Sequence, residues 1–327
     1  MPFAEFMDIA LYGEGGFYTS GGRAGRRGDF ITSPEVGPLF GTVLVRAIDD
    51  VWRRLGEPAG FQVVEVGAGP GTLARSIVAA RPRCLEQGEY IAVETSAAQL
   101  ASHPNTVTST GSMPARIDHG VIVANELWDN MPFELWVHDQ GWRSAHVIEQ
   151  GDGFAEILMP AAVPGVLPSR APHGARAPVQ ARAAAWLDET LSRLGAGSLI
   201  GFDYCTGLTA ELASMPWRQW LRTYAGHGRG THYLRDVGAQ DITVQVCIDQ
   251  LARVREPDAV RTQSQFLQRW GIEELVEEGR RHWEVHAQAP NLEAIRMRSR
   301  ISEAEALLDE SGLGAFTVLE WTTGRRN

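Results

Sequence analysis

The chain has 327 residues, is 44% hydrophobic and carries a formal net charge of -10, which suits one large domain with insertions or two modest ones around a full core. That charge disfavours nucleic acid as the main partner and leaves a cationic substrate or a basic protein surface electrostatically reasonable. All 30 basic residues are arginine, so a Schiff-base lysine, a pyridoxal-phosphate lysine and a P-loop lysine are excluded.

Met1 to Glu5 lack the charged and apolar regions of a signal peptide, and no run approaches the roughly 20 apolar residues of a membrane span. A cytoplasmic location without stable membrane insertion is expected. Cys84, Cys205 and Cys247 are too widely spaced for a disulfide framework or a zinc site, and read as reduced packing residues. An amphipathic helix is predicted over Phe3 to Tyr12, followed by a glycine- and arginine-rich loop, Gly21 to Gly28. Ser33, with Pro34 and Glu35 behind it, reads as the N-cap of a helix running to about Leu55.

Residues 63 to 73, Val-Val-Glu-Val-Gly-Ala-Gly-Pro-Gly-Thr-Leu, carry the most information. Phe61 to Val66 read as a buried parallel strand and Thr72 to Ala80 as the following helix. Gly67, Ala68, Gly69 and Gly71 between them let the backbone approach an adenosine-type ligand where a Cβ would collide. A dinucleotide fingerprint needs glycine where this chain has Thr72, and the actual pattern, G-x-G-x-G behind Glu65, favours S-adenosyl-L-methionine over NAD. That cofactor carries a sulfonium and an ammonium, which welcome a carboxylate such as Glu65.

Tyr90 to Val93 form a second strand ending in Glu94, placed to meet ribose hydroxyls. Val121 to Ala124 give another, followed by Asn125-Glu126-Leu127-Trp128-Asp129-Asn130, a cluster that should face the ligand crevice. Phe133 to Leu158 alternate like an antiparallel meander, and Pro160 to Ala185 read as a loop leading into a helix that ends near Leu194. Ser198 to Phe202 resume the parallel sheet. Residues 206 to 241 look like a turn-rich substrate-side insertion, with Val260 to Ser264 a strand, helices to Glu310 and a closing strand over Phe316 to Trp321.

Four blocks together resemble the MidA family of class I methyltransferases: Ala10-Leu11-Tyr12 with Gly16-Phe17-Tyr18, the segment Gly28 to Gly41, the glycine turn with Glu65, and Asn125-Glu126 through Pro132. The resemblance continues at Phe202-Asp203-Tyr204, in the Arg222 to Thr243 insertion, at Gln263 to Gly271 and in the closing strand. It implies an α/β fold, a Rossmann-like sheet with helices on both faces, with residues 1–58 as an N-terminal helical lid and 59–327 as the methyltransferase domain. Insertions are expected at 133–160 and 206–259. The same resemblance implies that Gly67, Gly69 and Gly71 hold S-adenosyl-L-methionine, that Glu94 takes the ribose, and that Thr32, Ser33, Pro34 and Glu35 fold over the cofactor, with Asn125 beside it. Mitochondrial members methylate an arginine of a respiratory-complex subunit. Where relatives place a proline before glycine this chain has Val237-Gly238, and Gln245 and Cys247 replace polar or acidic residues after Asp241-Ile242-Thr243.

If the acceptor is arginine, its guanidinium stays cationic, and a carboxylate fork can bind it and draw charge from the attacking nitrogen. Glu126 and Asp129 are the candidates, three residues apart after a strand end. A small-molecule O- or N-methyltransferase with an apolar pocket of Trp217, Trp220 and Tyr224 is a second reading, and a non-catalytic assembly factor a third. The acceptor is accordingly a protein or a small molecule, and a homodimer is compatible with either. His282 and His286 are four apart but lack the H-E-x-x-H pattern and a third ligand, so no metal is expected. His227 and His232 lie in the insertion, where loop histidines are more often solvated than in contact with substrate.

Overall fold

The computed structural model describes residues 1–19, 32–226 and 228–324; the Gly21 to Gly28 loop and His227 lie outside them. Contacts group the chain into two units. One comprises Ile31–Asn125, Arg193–Phe202 and Asp258–Asn327, the other Met1–Phe30, Glu126–Ser192 and Asp203–Pro257. The segment expected as a single lid, residues 1–58, is divided between them.

Apolar runs buried on both faces form the centre of the seven-stranded sheet of the first unit, counted among the described residues, while its edge strands are half-buried or exposed. Its strands are β1 (Gln62–Val66), β2 (Glu89–Val93), β3 (Thr108–Thr110), β4 (Ile117–Asn125), β5 (Leu194–Asp203), β6 (Ala259–Thr262) and β7 (Thr317–Thr323). They lie in the order β6-β7-β5-β4-β1-β2-β3. The pairs β1–β2, β1–β4, β2–β3 and β4–β5 are parallel, and β6–β7 is antiparallel. Strand order therefore reverses between β1 and β4, the place where open α/β sheets bind ligands beyond their carboxyl ends. Register sets Val66 opposite both Val93 and Ala124. Gly67, Glu94 and Asn125, the next residues, thus emerge side by side.

The helices that matter most are α1 (Phe3–Tyr12), α2 (Ser33–Val36), α3 (Pro38–Arg54) and α4 (Thr72–Ala79). Helix α3 buries Phe40, Val43, Leu44, Ala47, Ile48 and Val51, spaced at three and four residues, and Phe40 meets Phe202 of β5 edge-on at 5.2 Å. The single helix expected from Ser33 to Leu55 is instead broken at Gly37. A Cβ on Gly37 would strike the Glu303 carboxyl, whose Oε2 accepts a 2.8 Å bond from the Leu39 amide. A buried acid from helix Leu292–Leu308 thereby caps α3 from outside the local chain. Thr32, rather than Ser33, occupies the N-cap of α2; Ser33 Oγ is committed elsewhere, donating to Gln263 Oε1 at 2.8 Å.

In the other unit, α1 buries Phe3, Phe6, Met7, Ala10 and Leu11, with Phe3 packing on Phe133 and Tyr233 at ring separations of 5.2 and 5.1 Å. The meander appears as strands Glu134–His138, Trp142–Gln150 and Gly153–Met159. A fourth strand, Arg176–Val179, falls in the stretch expected as loop and pairs antiparallel with Glu134–His138 at the sheet edge. Pro178 hides it in the sequence, since proline is tolerated only where no ladder donor is needed. The turn-rich insertion likewise contains a small sheet, Leu221–Ala225 between Gly228–Arg229 and Asp241–Val244. Among the described residues no helix is long and apolar enough to cross a membrane.

Candidate functional site

In the sheet unit the glycine turn is backbone held by backbone. The amides of Gly67 and Ala68 both donate to Val93 O at 3.0 Å, and Gly71 N donates to Ala68 O at 2.9 Å. Gly67, Gly69 and Gly71 have φ of 73°, 53° and 78°, the left-handed region that a side chain makes costly. Glu94 folds back on this turn: Oε2 accepts from Gly69 N at 2.9 Å and Oε1 from Ser96 N at 2.8 Å. A carboxylate fixed by two amides keeps lone pairs for hydroxyl donors. His103, unforeseen in the sequence, bonds Gly69 O through Nε2 at 2.8 Å and Ser109 Oγ through Nδ1 at 3.0 Å. It backs the turn where a Cβ on Gly71 would lie 3.1 Å from its Cδ2.

Of the residues expected over the cofactor, Glu35 reaches the turn, accepting from Thr72 Oγ1 at 2.6 Å at the start of α4. Thr32, Ser33 and Pro34 are buried. Asn125 closes β4 and is half-buried.

Glu65 points into the sheet unit. It is buried, and Oε2 accepts a 2.6 Å bond from the Tyr90 hydroxyl. Burial pushes its carboxyl up to about 8, against the Tyr90 bond and with Glu94 adding to the rise. Folded chains therefore hold a proton here that unfolded chains release once pH exceeds the ordinary value of 4.5. This stabilisation is complete below that value and is lost as pH rises through about 8. We expect the thermal midpoint to fall across that window, and to fall less in Glu65→Gln, whose amide oxygen still accepts from Tyr90. Melts at a series of pH values check this, and equal slopes for both proteins would contradict it.

The second unit carries the acids. Among its described residues Glu126, Asp129, Asp203 and Asp241 share one neighbourhood: the carboxyl of Asp129 is pushed well up by burial and then by the charges of Asp203, Glu126 and Asp241. Asp203, the last residue of β5, organises the loop, with Oδ2 accepting from Trp128 N at 2.9 Å and Asp129 N at 3.3 Å, and Oδ1 from Tyr204 N at 2.8 Å. Burial pushes Asp203 itself up to about 7 despite those amides. Asp241 Oδ1 accepts from Asn130 Nδ2 at 3.0 Å and Ile242 N at 2.9 Å. Asp129 Oδ1 is buried with no hydrogen-bond partner among the described residues. Glu126 has φ 51°, a left-handed conformation that costs a non-glycine residue roughly 1–2 kcal/mol and often marks a working position.

Tyr12 and Tyr18 stack at 5.5 Å beside these acids; Tyr12 donates to Asn130 O at 3.1 Å, and Tyr18 is raised by burial and by Asp241. Asp203, Asp241 and Tyr18 escaped the sequence reading as site residues. The rule that ligands gather beyond carboxyl strand ends could have singled out Asp203. Of the three aromatics expected to line an apolar pocket, Trp220 is fully buried in a cluster with Phe3, Phe133 and Leu221, while Trp217 and Tyr224 are half-buried. His282 and His286 lie on helix Ile272–His286 with their rings stacked at 4.3 Å.

Residues 43–265, more than half of the chain, match the family model of S-adenosyl-L-methionine-dependent methyltransferases. Over 91 residues the chain is 37% identical to the mitochondrial protein arginine methyltransferase NDUFAF7 homolog of Drosophila melanogaster, covering 28% of this chain and 21% of that protein. Identity to the human mitochondrial protein arginine methyltransferase NDUFAF7 is 40% over 76 residues, covering 23% and 17%. The matched stretch is thus about a fifth of the length of these curated relatives. A Burkholderia thailandensis protein, crystallised with S-adenosyl-homocysteine, superposes with a TM-score of 0.81 at 25% identity over 100% of this chain and 89% of that one.

Proposed function

Because the chain belongs to the MidA family of S-adenosyl-L-methionine-dependent methyltransferases, we propose that its methyl acceptor is an arginine side chain of a protein. When bound, the cofactor supplies an electrophilic methyl group on a sulfonium. The residues of the sheet unit fit it: the positive-φ glycines leave a cradle that side chains would fill, and the Glu94 carboxylate is preset by two amides. We assign Gly67, Ala68, Gly69, Gly71, Glu94 and Asn125 to donor binding, with Thr32 to Glu35 supporting from α2. Glu65 supports the strand from behind.

The observation that carries the acceptor reading is the buried, unpartnered Oδ1 of Asp129 among Glu126, Asp203 and Asp241. Buried carboxyls crowded together resist ionisation until a cation joins them. A guanidinium restores Asp129 to a carboxylate, satisfies its orphan oxygen and is held in plane by Glu126. As the nitrogen gains a methyl group it must shed a proton, and the Asp129 carboxylate, held among neighbouring acids that favour its protonation once the substrate charge is lost, can take it. In-line displacement asks little else beyond alignment at about 3 Å.

Incubating lysate with isotopically labelled donor and the purified chain should place label in the protein fraction. Label confined to small molecules would overturn the proposal, and a chain that binds donor but labels nothing would point to an assembly factor. For the donor site, Glu94→Ala should weaken S-adenosyl-L-methionine binding by on the order of 1.5–3 kcal/mol, the size of a charge-assisted hydrogen bond. Calorimetric titration measures this, and normal affinity would reassign the ribose contact.

A further inference from the structure

A cavity of about 330 Å³ in the second unit is lined by Trp217, Arg218, Arg222, Arg229, Thr231 and His232, among others; the nearest acids stand behind the lining, Asp236 accepting from Thr231 Oγ1 at 2.9 Å and Glu156 from the Tyr233 hydroxyl at 2.6 Å. Its arginines are unusual in a chain with ten more acids than bases. Arg176, close by, is neutralised by Glu156 at 2.6 Å, and Arg182 by Asp8 at 2.5 Å. Among the described residues Arg218, Arg222 and Arg229 have no such counter-ion. Arg218 lies over the Trp217 ring at 5.0 Å, Arg229 donates to Arg218 O at 3.3 Å, and Arg222 donates to Gln219 O at 2.7 Å. These contacts orient the guanidiniums without cancelling their charge. His232 registers the resulting field, its imidazole held below its ordinary value by burial and then by Arg218 and Arg176.

This cationic cavity adjoins the acid cluster. Arg222 lies 5.6 Å over the ring of Tyr204, and the phenol of Tyr204 is raised by burial and by Glu126 and Asp129. One unit therefore offers a negative and a positive site next to each other. We propose that the arginine cavity binds acidic side chains of the acceptor protein near the methylated arginine, so that the substrate is read as a cation and an anion together. The inference rests on the arginine-acceptor reading for its purpose and on the cavity alone for its chemistry. Its size suits one or two carboxylates rather than a nucleic-acid strand. Three unpaired guanidiniums supply fork-shaped donors that match carboxylate geometry.

The probe is a tetraglutamate peptide titrated into the full chain by calorimetry, with inorganic phosphate as a parallel arm. Wild type should bind tetraglutamate, more weakly as salt is added, and Arg218→Gln/Arg229→Gln should bind at least about tenfold more weakly, a loss of roughly 1.4 kcal/mol. Both residues are exposed, and an unchanged circular-dichroism melt verifies that the variant is folded. No binding by wild type, equal binding by the variant, or binding of phosphate with tetraglutamate inert would each overturn the proposal. Because no methyl transfer is read, a failure of arginine methylation leaves this result intact, and the two readings fail separately.

Discussion

Gly69→Val should abolish S-adenosyl-L-methionine binding while leaving the chain folded. Gly69 sits at φ 53°, where a β-branched residue pays more than the roughly 1–2 kcal/mol that left-handed backbone costs an ordinary one. A Cβ there would also press on Gln99 Oε1 at 3.2 Å. Gln99 can swing aside, but the backbone must rotate to relieve the left-handed strain, and rotation breaks the Gly69 amide bond to Glu94 and the Gly69 carbonyl bond to His103. One substitution thus removes the cradle and releases the Glu94 carboxylate together. We expect affinity to fall by at least about a hundredfold, near 2.8 kcal/mol, with a smaller loss for Gly69→Ala. Titration calorimetry beside a far-ultraviolet melt checks both halves, and a valine variant with native affinity would refute the donor site.

Glu126→Gln should lower methyl transfer by more than about tenfold, at least roughly 1.4 kcal/mol, with donor affinity little changed. Glutamine keeps the size and the left-handed backbone of Glu126 but not the charge that polarises a guanidinium. Asp129→Asn should act in the same direction, since it removes the carboxyl whose Oδ1 awaits a partner. Single-turnover kinetics separate chemistry from binding. Normal transfer by Glu126→Gln would reject the clamp, and lost donor binding would move Glu126 to the donor site.

The centre of the parallel sheet and its glycine turn were legible because β1, β2 and β4 carry short apolar runs ending beside a distinctive residue: Val66 before Gly67, Val93 before Glu94, Ala124 before Asn125; β3, Thr-Ser-Thr and largely exposed, carries no such signal. Periodicity alone placed α1 over Phe3 to Tyr12. What stayed hidden depends on residues far apart in sequence. Gly37 breaks a helix only because Glu303 arrives 266 positions later in the chain to cap α3. The strand Arg176–Val179 is masked by its proline and exists through pairing with Glu134–His138. The acid pair Glu126 and Asp129 could be suspected from a strand end, but Asp241 and Tyr18 join them only through folding of the insertion and of the segment after α1. For Glu65 the motif suggests a ligand contact, and what only the fold supplies is its partner, the Tyr90 hydroxyl on the neighbouring strand.

The most direct test of arginine as the acceptor is chemical identification of the methylated residue. Protein labelled by the purified chain and isotopic donor would be hydrolysed to amino acids and resolved by chromatography with mass detection. The account predicts label in methylated arginine, absent when Glu126→Gln replaces the wild type. Label in methyl-lysine, methyl-histidine or a carboxyl ester, with arginine unlabelled, would contradict it.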